Sequence, residues 1–322
     1  MNNYARILGT GSYLPEKILT NHDLEKMVDT SDEWIVSRSG IRERHIAAKD
    51  ESASSMALIA SQRAIEAAGL SASDIDMIIV GTCSPDMLFP SAACFLQAKL
   101  GLSGIPAFDV GAACSGFVYA LSVANQFIRG GEYKKILVVG SEVISRSINW
   151  EDRSTCVLFA DGAGAVVVGA DNKPGIKDMV LHSDGKYADI LNLPSPHYKD
   201  DQDEKLNCFL HMEGREVYKI AVTELPNTVL ELLERNKMHA DEIDWLVPHQ
   251  ANLRIIEFVA KRLNFPMEKV IVTVDKHANT SSASVPLAFD EAVRSGKIKR
   301  GDTVIMEAFG GGITWGGVLL EF

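Results

Sequence analysis

Residues 74–82 read DIDMIIVGT, and residues 242–250 read EIDWLVPHQ. In each, an acidic-Ile-Asp triplet leads into a short apolar run, and Ile75 and Ile243 stand 168 positions apart. Continuous apolar runs of this length fit strands buried on both faces. Working outward, Arg129-Gly130 precedes KKILVVG and Ser295-Gly296 precedes DTVIMEAFG, each after a helical pattern, with the two glycines 166 apart. DGAGAVVVGA (161–170) then closes one half as GGGITWGGVLLEF (310–322) closes the other. Three landmarks in one order at a nearly constant offset predict an internal duplication. The expected division is 1–172 and 173–322, two similar α/β halves in one compact unit.

Further runs, KILVVGSEV (135–143) and GAVVVGA (164–170), alternate with helical stretches. In Ser55–Ala68 the apolar residues Met56, Ile59, Ala60, Ala64 and Ile65 keep helical spacing. Strands alternating with helices predict an α/β layer fold. Segment 183–207 is polar, has two prolines and lacks a period, which predicts a connector between the halves. It fits a solvated loop and an excursion bordering the active site equally well.

The offset also relates GAACSGFVYALSVANQFIRGG to HANTSSASVPLAFDEAVRSGK, since 166 added to Cys114 gives Thr280, beside Asn279. Both read as a tight turn entering a helix. A pseudo-twofold axis would bring the two helix starts together.

The 322 residues are 46% hydrophobic and 23% charged, ordinary globular values, with a net charge of -11. That charge argues against general nucleic-acid binding, which needs a basic surface. No apolar run approaches the roughly 20 residues of a membrane span. The N-terminus, MNNYARILGTGSYLP, lacks a secretory pattern. The five cysteines include no CxxC pair. A cytoplasmic protein with free, mostly buried cysteines is expected.

Four features carry chemistry. Cys114 opens a helix amid small residues, where the dipole and free N–H groups would lower the thiol pKa. The same context fits a small buried core cysteine. His249 ends an apolar strand just before a helix, the place where α/β folds put ligands. The other seven histidines keep the structural default. Asn279 alone would read as a helix N-cap. Gly310-Gly311-Gly312 would allow close approach to a developing oxyanion, and equally a tight turn.

These residues converge on a known family. The chain resembles β-ketoacyl-acyl carrier protein synthase III along its whole length. The resemblance rests on SDEWIVSRSGIRERHIA (31–47), FPSAAC (89–94), GAACSGF (111–117), DRSTCVLFADGAGA (152–165), MEGREVYK (212–219), HQANLRI (249–255), ANTSSASVPLA (278–288) and FGGGITWG (309–316). Ala160 and Ala278 stand where that family commonly has glycine.

The resemblance implies a thiolase-like fold, two duplicated halves in an α-β-α-β-α layering, and a homodimer. It places a catalytic triad on Cys114, His249 and Asn279, with an oxyanion hole at the N–H groups of Cys114 and Gly311. Asparagine in place of a second histidine favours the initiating type of condensing enzyme. The expected reaction joins an acyl-coenzyme A primer to malonyl-acyl carrier protein with loss of CO2. Coenzyme A is a substrate there; the chemistry requires no metal or other cofactor. Its site would fall on Trp34, Arg38, Arg153, Asn252 and Arg254, and the acyl pocket on Phe89, Met212 and Tyr218. The acidic carrier protein would dock on Arg215, Lys219, Arg254, Lys261 and Arg262. An acyltransferase with another acceptor and a non-catalytic acyl-binding protein are the competing readings.

Overall fold

The apolar run Met77–Gly81 is a strand with all five residues buried. It lies between parallel partners Ala107–Val110 and Lys135–Glu142. The computed structural model describes residues 4–195 and 208–322. The first sheet runs Tyr4–Tyr13, Gly162–Asp171, Lys135–Glu142, Met77–Gly81, Ala107–Val110. The second runs Ile176–Ser183, Thr314–Glu321, Thr303–Gly310, Trp245–Pro248. Val270 then bridges in parallel to Leu246, where the first sheet has its fifth strand. Strand order and direction therefore repeat, as the paired sequence landmarks predict.

Side-chain alternation builds the layers. Met77 and Ile79 join one cluster with the helices Gly116–Gly130 and Ser284–Arg294 and with Val304, Met306, Val318 and Leu320 of the second sheet. Ile78 and Val80 face the opposite way, against the helices Ala53–Ala67 and Ala92–Lys99. On the far side, Ile305 and Leu319 pack with the helices Gly214–Asn236 and Leu253–Arg262. Two helices sandwiched between two sheets, with helices outside each, give the α-β-α-β-α layering. Central strands buried on both faces need continuous apolar runs, which is why the pattern was readable.

The two inner helices begin alike. A 3-10 turn, Ala113–Ser115, leads into the first, and Ser281–Ala283 leads into the second. Both turns open on a non-glycine residue in the left-handed region, Ala113 at φ 44° and Ser281 at φ 50°. This sets the local offset at 168, so the counterpart of Cys114 is Ser282 and not Thr280. The helix starts do meet: a Cβ placed on Gly116 would lie 3.3 Å from Cβ of Ser282.

Two excursions border the site. The hairpin of Lys17–Thr20 and Glu43–Ile46 carries helix Asp32–Ser39 between its strands. Ser31 caps that helix and Gly40, at φ 79°, ends it. Its Ile35 and Ile41 pack with Ile255, Ile256 and Val274, so this part of the first half lies across the second. Between the halves, Leu191–Asn192 pairs with His211–Met212. The rest of the predicted connector, residues 196–207, lies outside the described residues. Among the described residues no helix is long and apolar enough to cross a membrane.

Candidate active site

Cys114, His249 and Asn279 are brought from three separate elements to one cavity of about 330 Å³. All three are buried, at 8%, 5% and 6% exposure. Cys114 sits in the 3-10 turn before its helix, where the N–H groups of Ser115 and Gly116 are already bonded to the Ala112 and Ala113 carbonyls. His249 follows strand Trp245–Pro248, with its N–H donating to the Glu307 carbonyl at 2.8 Å. Asn279 is held by two backbone bonds, its N–H to the Leu158 carbonyl and its own carbonyl from Ala160 N–H, both at 2.9 Å. Its Oδ1 accepts the Ser281 N–H at 2.9 Å, which leaves the NH2 group for the cavity.

The electrostatics correct one expectation. Burial pushes the Cys114 thiol up to about 12, with a lesser opposing contribution from the Ser281 hydroxyl. The helix N-terminus was expected to lower it; loss of water around the sulfur outweighs that here. Burial also lowers His249 to about 4. At neutral pH the site therefore holds a neutral thiol and a neutral imidazole.

Gly310 allows its own backbone to approach the turn that carries Cys114. A Cβ there would stand 2.5 Å from the Cys114 nitrogen. Gly311 borders a second cavity of about 370 Å³, also lined by Cys114. The same glycines turn the chain between Thr303–Gly310 and Thr314–Glu321, as the tight-turn reading of the run expects.

Trp34, Arg38 and Asn252 line the first cavity with the triad. The Arg38 and Arg153 guanidinium carbons lie 5.8 and 5.3 Å from the Trp34 ring centroid. Arg254 lies 5.9 Å from the ring centroid of Tyr218, another lining residue. Asn252 caps the helix Leu253–Arg262, accepting from Arg254 N–H, and its NH2 donates to the Arg38 carbonyl at 3.0 Å. The hairpin excursion and this helix start are thus tied together at the site.

The expected acyl-pocket residues separate. Met212 and Tyr218 line the first cavity together with Trp34 and Asn252. Phe89 lines neither cavity; it is 85% exposed, beside exposed Met87 and Leu88. A loop tip held off the chain's own core cannot shape its own pocket. The second cavity is instead lined by Cys83, Ile144, Phe159, Leu191, Leu193 and Leu210, among others. Sequence reading missed this compartment because its walls come from segments scattered between Cys83 and Gly312.

It also missed a buried polar group beneath the cysteine. Glu142 is fully buried and accepts from the hydroxyls of Thr82, Ser84, Ser281 and Ser282. The serine run after Asn279 and the acidic end of an apolar strand were the available signals. All the expected docking residues, Arg215, Lys219, Arg254, Lys261 and Arg262, are exposed. Lys219 already holds Glu216 at 2.7 Å. Of the cysteines, Cys114 and Cys156 are buried, Cys208 is exposed, and none is paired with another. No cluster of three or more metal-ligating side chains occurs among the described residues.

Comparison with known proteins agrees with this architecture. The family model 3-oxoacyl-[acyl-carrier-protein] synthase III matches residues 108–185, and its C-terminal model matches 233–322. Beta-ketoacyl-[acyl-carrier-protein] synthase III of Methylococcus capsulatus is 58% identical over all of both chains. The 3-oxoacyl-[acyl-carrier-protein] synthase III structure from Aquifex aeolicus superposes with a TM-score of 0.93 at 47% identity, covering 99% of this chain and 100% of that one. The priming β-ketosynthase of the R1128 polyketide pathway gives 0.94 at 37% identity, covering 99% and 97%. On this full-length identity, the chain belongs to the 3-oxoacyl-[acyl-carrier-protein] synthase III family.

Proposed function

We propose that this chain condenses an acyl-coenzyme A primer, acetyl first among them, with malonyl-acyl carrier protein, forming 3-oxoacyl-acyl carrier protein and initiating fatty acid synthesis. The observation that carries the reading is the convergence of Cys114, His249 and Asn279 on one cavity whose wall also holds Trp34, Arg38 and Asn252.

Cys114 attacks the thioester carbonyl, and the oxyanion is held by the N–H groups of Cys114 and Gly311. Coenzyme A departs with the cysteine proton, leaving an acyl-cysteine. Malonyl-carrier protein then loses CO2, and negative charge develops on its thioester oxygen. A neutral His249 and the Asn279 NH2 group are suited to donate to that oxygen. The carbon so exposed attacks the acyl-cysteine, and the sulfur regains a proton on release.

Trp34 and Arg153 suit an adenine ring, and Arg38 and Arg254 suit phosphates. Met212 and Tyr218 border the thioester arm, and the second cavity receives the acyl chain. Arg215, Arg254, Lys261 and Arg262 form a basic rim for an acidic carrier protein, with Lys219 contributing less because Glu216 neutralises it. The halves divide near residue 172, the enzyme works as a homodimer in the cytoplasm, and it uses no metal or other cofactor.

The similarity to a priming polyketide ketosynthase favours one second reading, the same chemistry with a different carrier protein as acceptor. The test is condensation by purified enzyme across acetyl- and longer acyl-coenzyme A, with Cys114→Ala as control. Product formation that the control abolishes supports the first reading. Loading of Cys114 without condensation on the fatty-acid carrier protein supports the second.

A further inference from the structure

The imidazole of His249 is held from behind. Its Nδ1 is hydrogen-bonded to the Ser284 hydroxyl, the first residue of helix Ser284–Arg294. That hydroxyl oxygen also receives the Gln250 N–H at 3.4 Å. Among the described residues these are its two partners. Gln250 N–H can only donate, so the oxygen accepts there. The hydroxyl proton then has one acceptor in reach, Nδ1.

The alternative tautomer fails on the same count. With a proton on Nδ1, the ring would donate to Ser284, and the Ser284 O–H would have nowhere to go. Ser284 is 1% exposed, so bulk water does not reach it. A buried donor left unsatisfied costs more than a made bond returns. Helical hydroxyls usually solve this by bonding back to the carbonyl four residues earlier. Thr223 does so to Lys219 and Thr228 to Glu224. Ser284 forgoes that bond and turns to the histidine.

We infer that Ser284 is a positioning residue that fixes His249 as the Nε2–H tautomer, with Nδ1 unprotonated and the N–H directed to the cavity lined by Cys114 and Asn279. Gln250 secures the serine in turn. Its side-chain NH2 donates to the Pro248 and Ile271 carbonyls, and its Oε1 accepts the Thr273 and Val274 N–H groups. The backbone N–H that meets Ser284 is therefore itself anchored.

The assignment divides the chemistry. An imidazole protonated on Nε2 cannot take the Cys114 proton through that nitrogen. It can donate to an oxyanion, beside the Asn279 NH2 group. Ser284 therefore matters to decarboxylation of the malonyl thioester more than to acyl loading. This consequence rests on the condensing reading; the tautomer does not.

The test uses the full-length enzyme labelled with 15N-histidine, with the His249→Gln spectrum assigning the His249 signals. In the wild type, Nε2 is expected at the protonated shift and Nδ1 at the unprotonated shift, moved by a hydrogen bond. Ser284→Ala is expected to mix the tautomers and to lower kcat for CO2 release by about tenfold or more, short of the 10²–10³ for losing a donor outright. KM for malonyl-carrier protein and acyl loading of Cys114 should change little. Ser284→Thr, which keeps the hydroxyl, should restore the wild-type spectrum and rate. An Nδ1–H signal in the wild type, or Ser284→Ala with unchanged tautomer, overturns the inference. Should the wild type fail to condense at all, the proposed function falls while the spectrum still decides the role of Ser284.

Discussion

The Ser281 backbone N–H donates to Oδ1 of Asn279 at 2.9 Å, and this bond decides which end of the amide faces Cys114. Ser281 reaches that position through a left-handed φ of 50°, so the turn stores strain to aim a side chain. Asn279→Asp would keep the shape and the bond from Ser281 but turn an anionic oxygen toward the cavity. Condensation should fall by about 10²–10³-fold, whereas acyl loading, read by intact-protein mass, should persist.

Burial of His249 predicts a pH dependence of stability. Its folded value of about 4 lies below the ordinary 6.5, so the unfolded chain binds the proton more readily. The contribution is present above 6.5 and is lost as pH falls toward 4. Urea unfolding at pH 7 and pH 4 should show the wild type losing up to roughly 3 kcal/mol more than His249→Gln.

The thiol of Cys114, pushed up to about 12, predicts slow alkylation that accelerates with pH. Its reaction with iodoacetamide, followed by peptide mass, should still be rising well above the ordinary thiol value of about 8.5. A plateau below pH 9 would contradict the desolvated picture.

Ala278 has φ 52° and ψ −157°, a conformation suited to glycine, in keeping with the glycine that the family resemblance implies at this position. Ala278→Gly should stabilise the protein by about 1 kcal/mol, the release of strain outweighing glycine's chain entropy. Denaturant midpoints read this directly.

Trp34→Ala should raise KM for acyl-coenzyme A with little change in kcat, since the ring lines the cavity but supplies no reacting atom in the proposed chemistry. Lys261→Glu with Arg262→Glu should instead raise KM for malonyl-carrier protein, by about 1 kcal/mol per rim charge at low salt. Added salt should erase the difference.

The strands, their duplication and the family are legible in residue order alone. Those signals are local: a strand buried on both faces must be apolar along its length, as Met77–Gly81 is, and a turn that meets another backbone must be small, as around Cys114 and Gly310. What the site residues experience depends on how distant segments pack around them. The thiol of Cys114 sits high because distant segments close over it, and Phe89 stands off the pocket because its loop tip finds no core within this chain. The second cavity and the bond from Ser284 to His249 likewise join residues far apart in sequence. Desolvation and hydrogen-bond partnership are properties of the assembled neighbourhood, and periodicity along the chain carries no record of them.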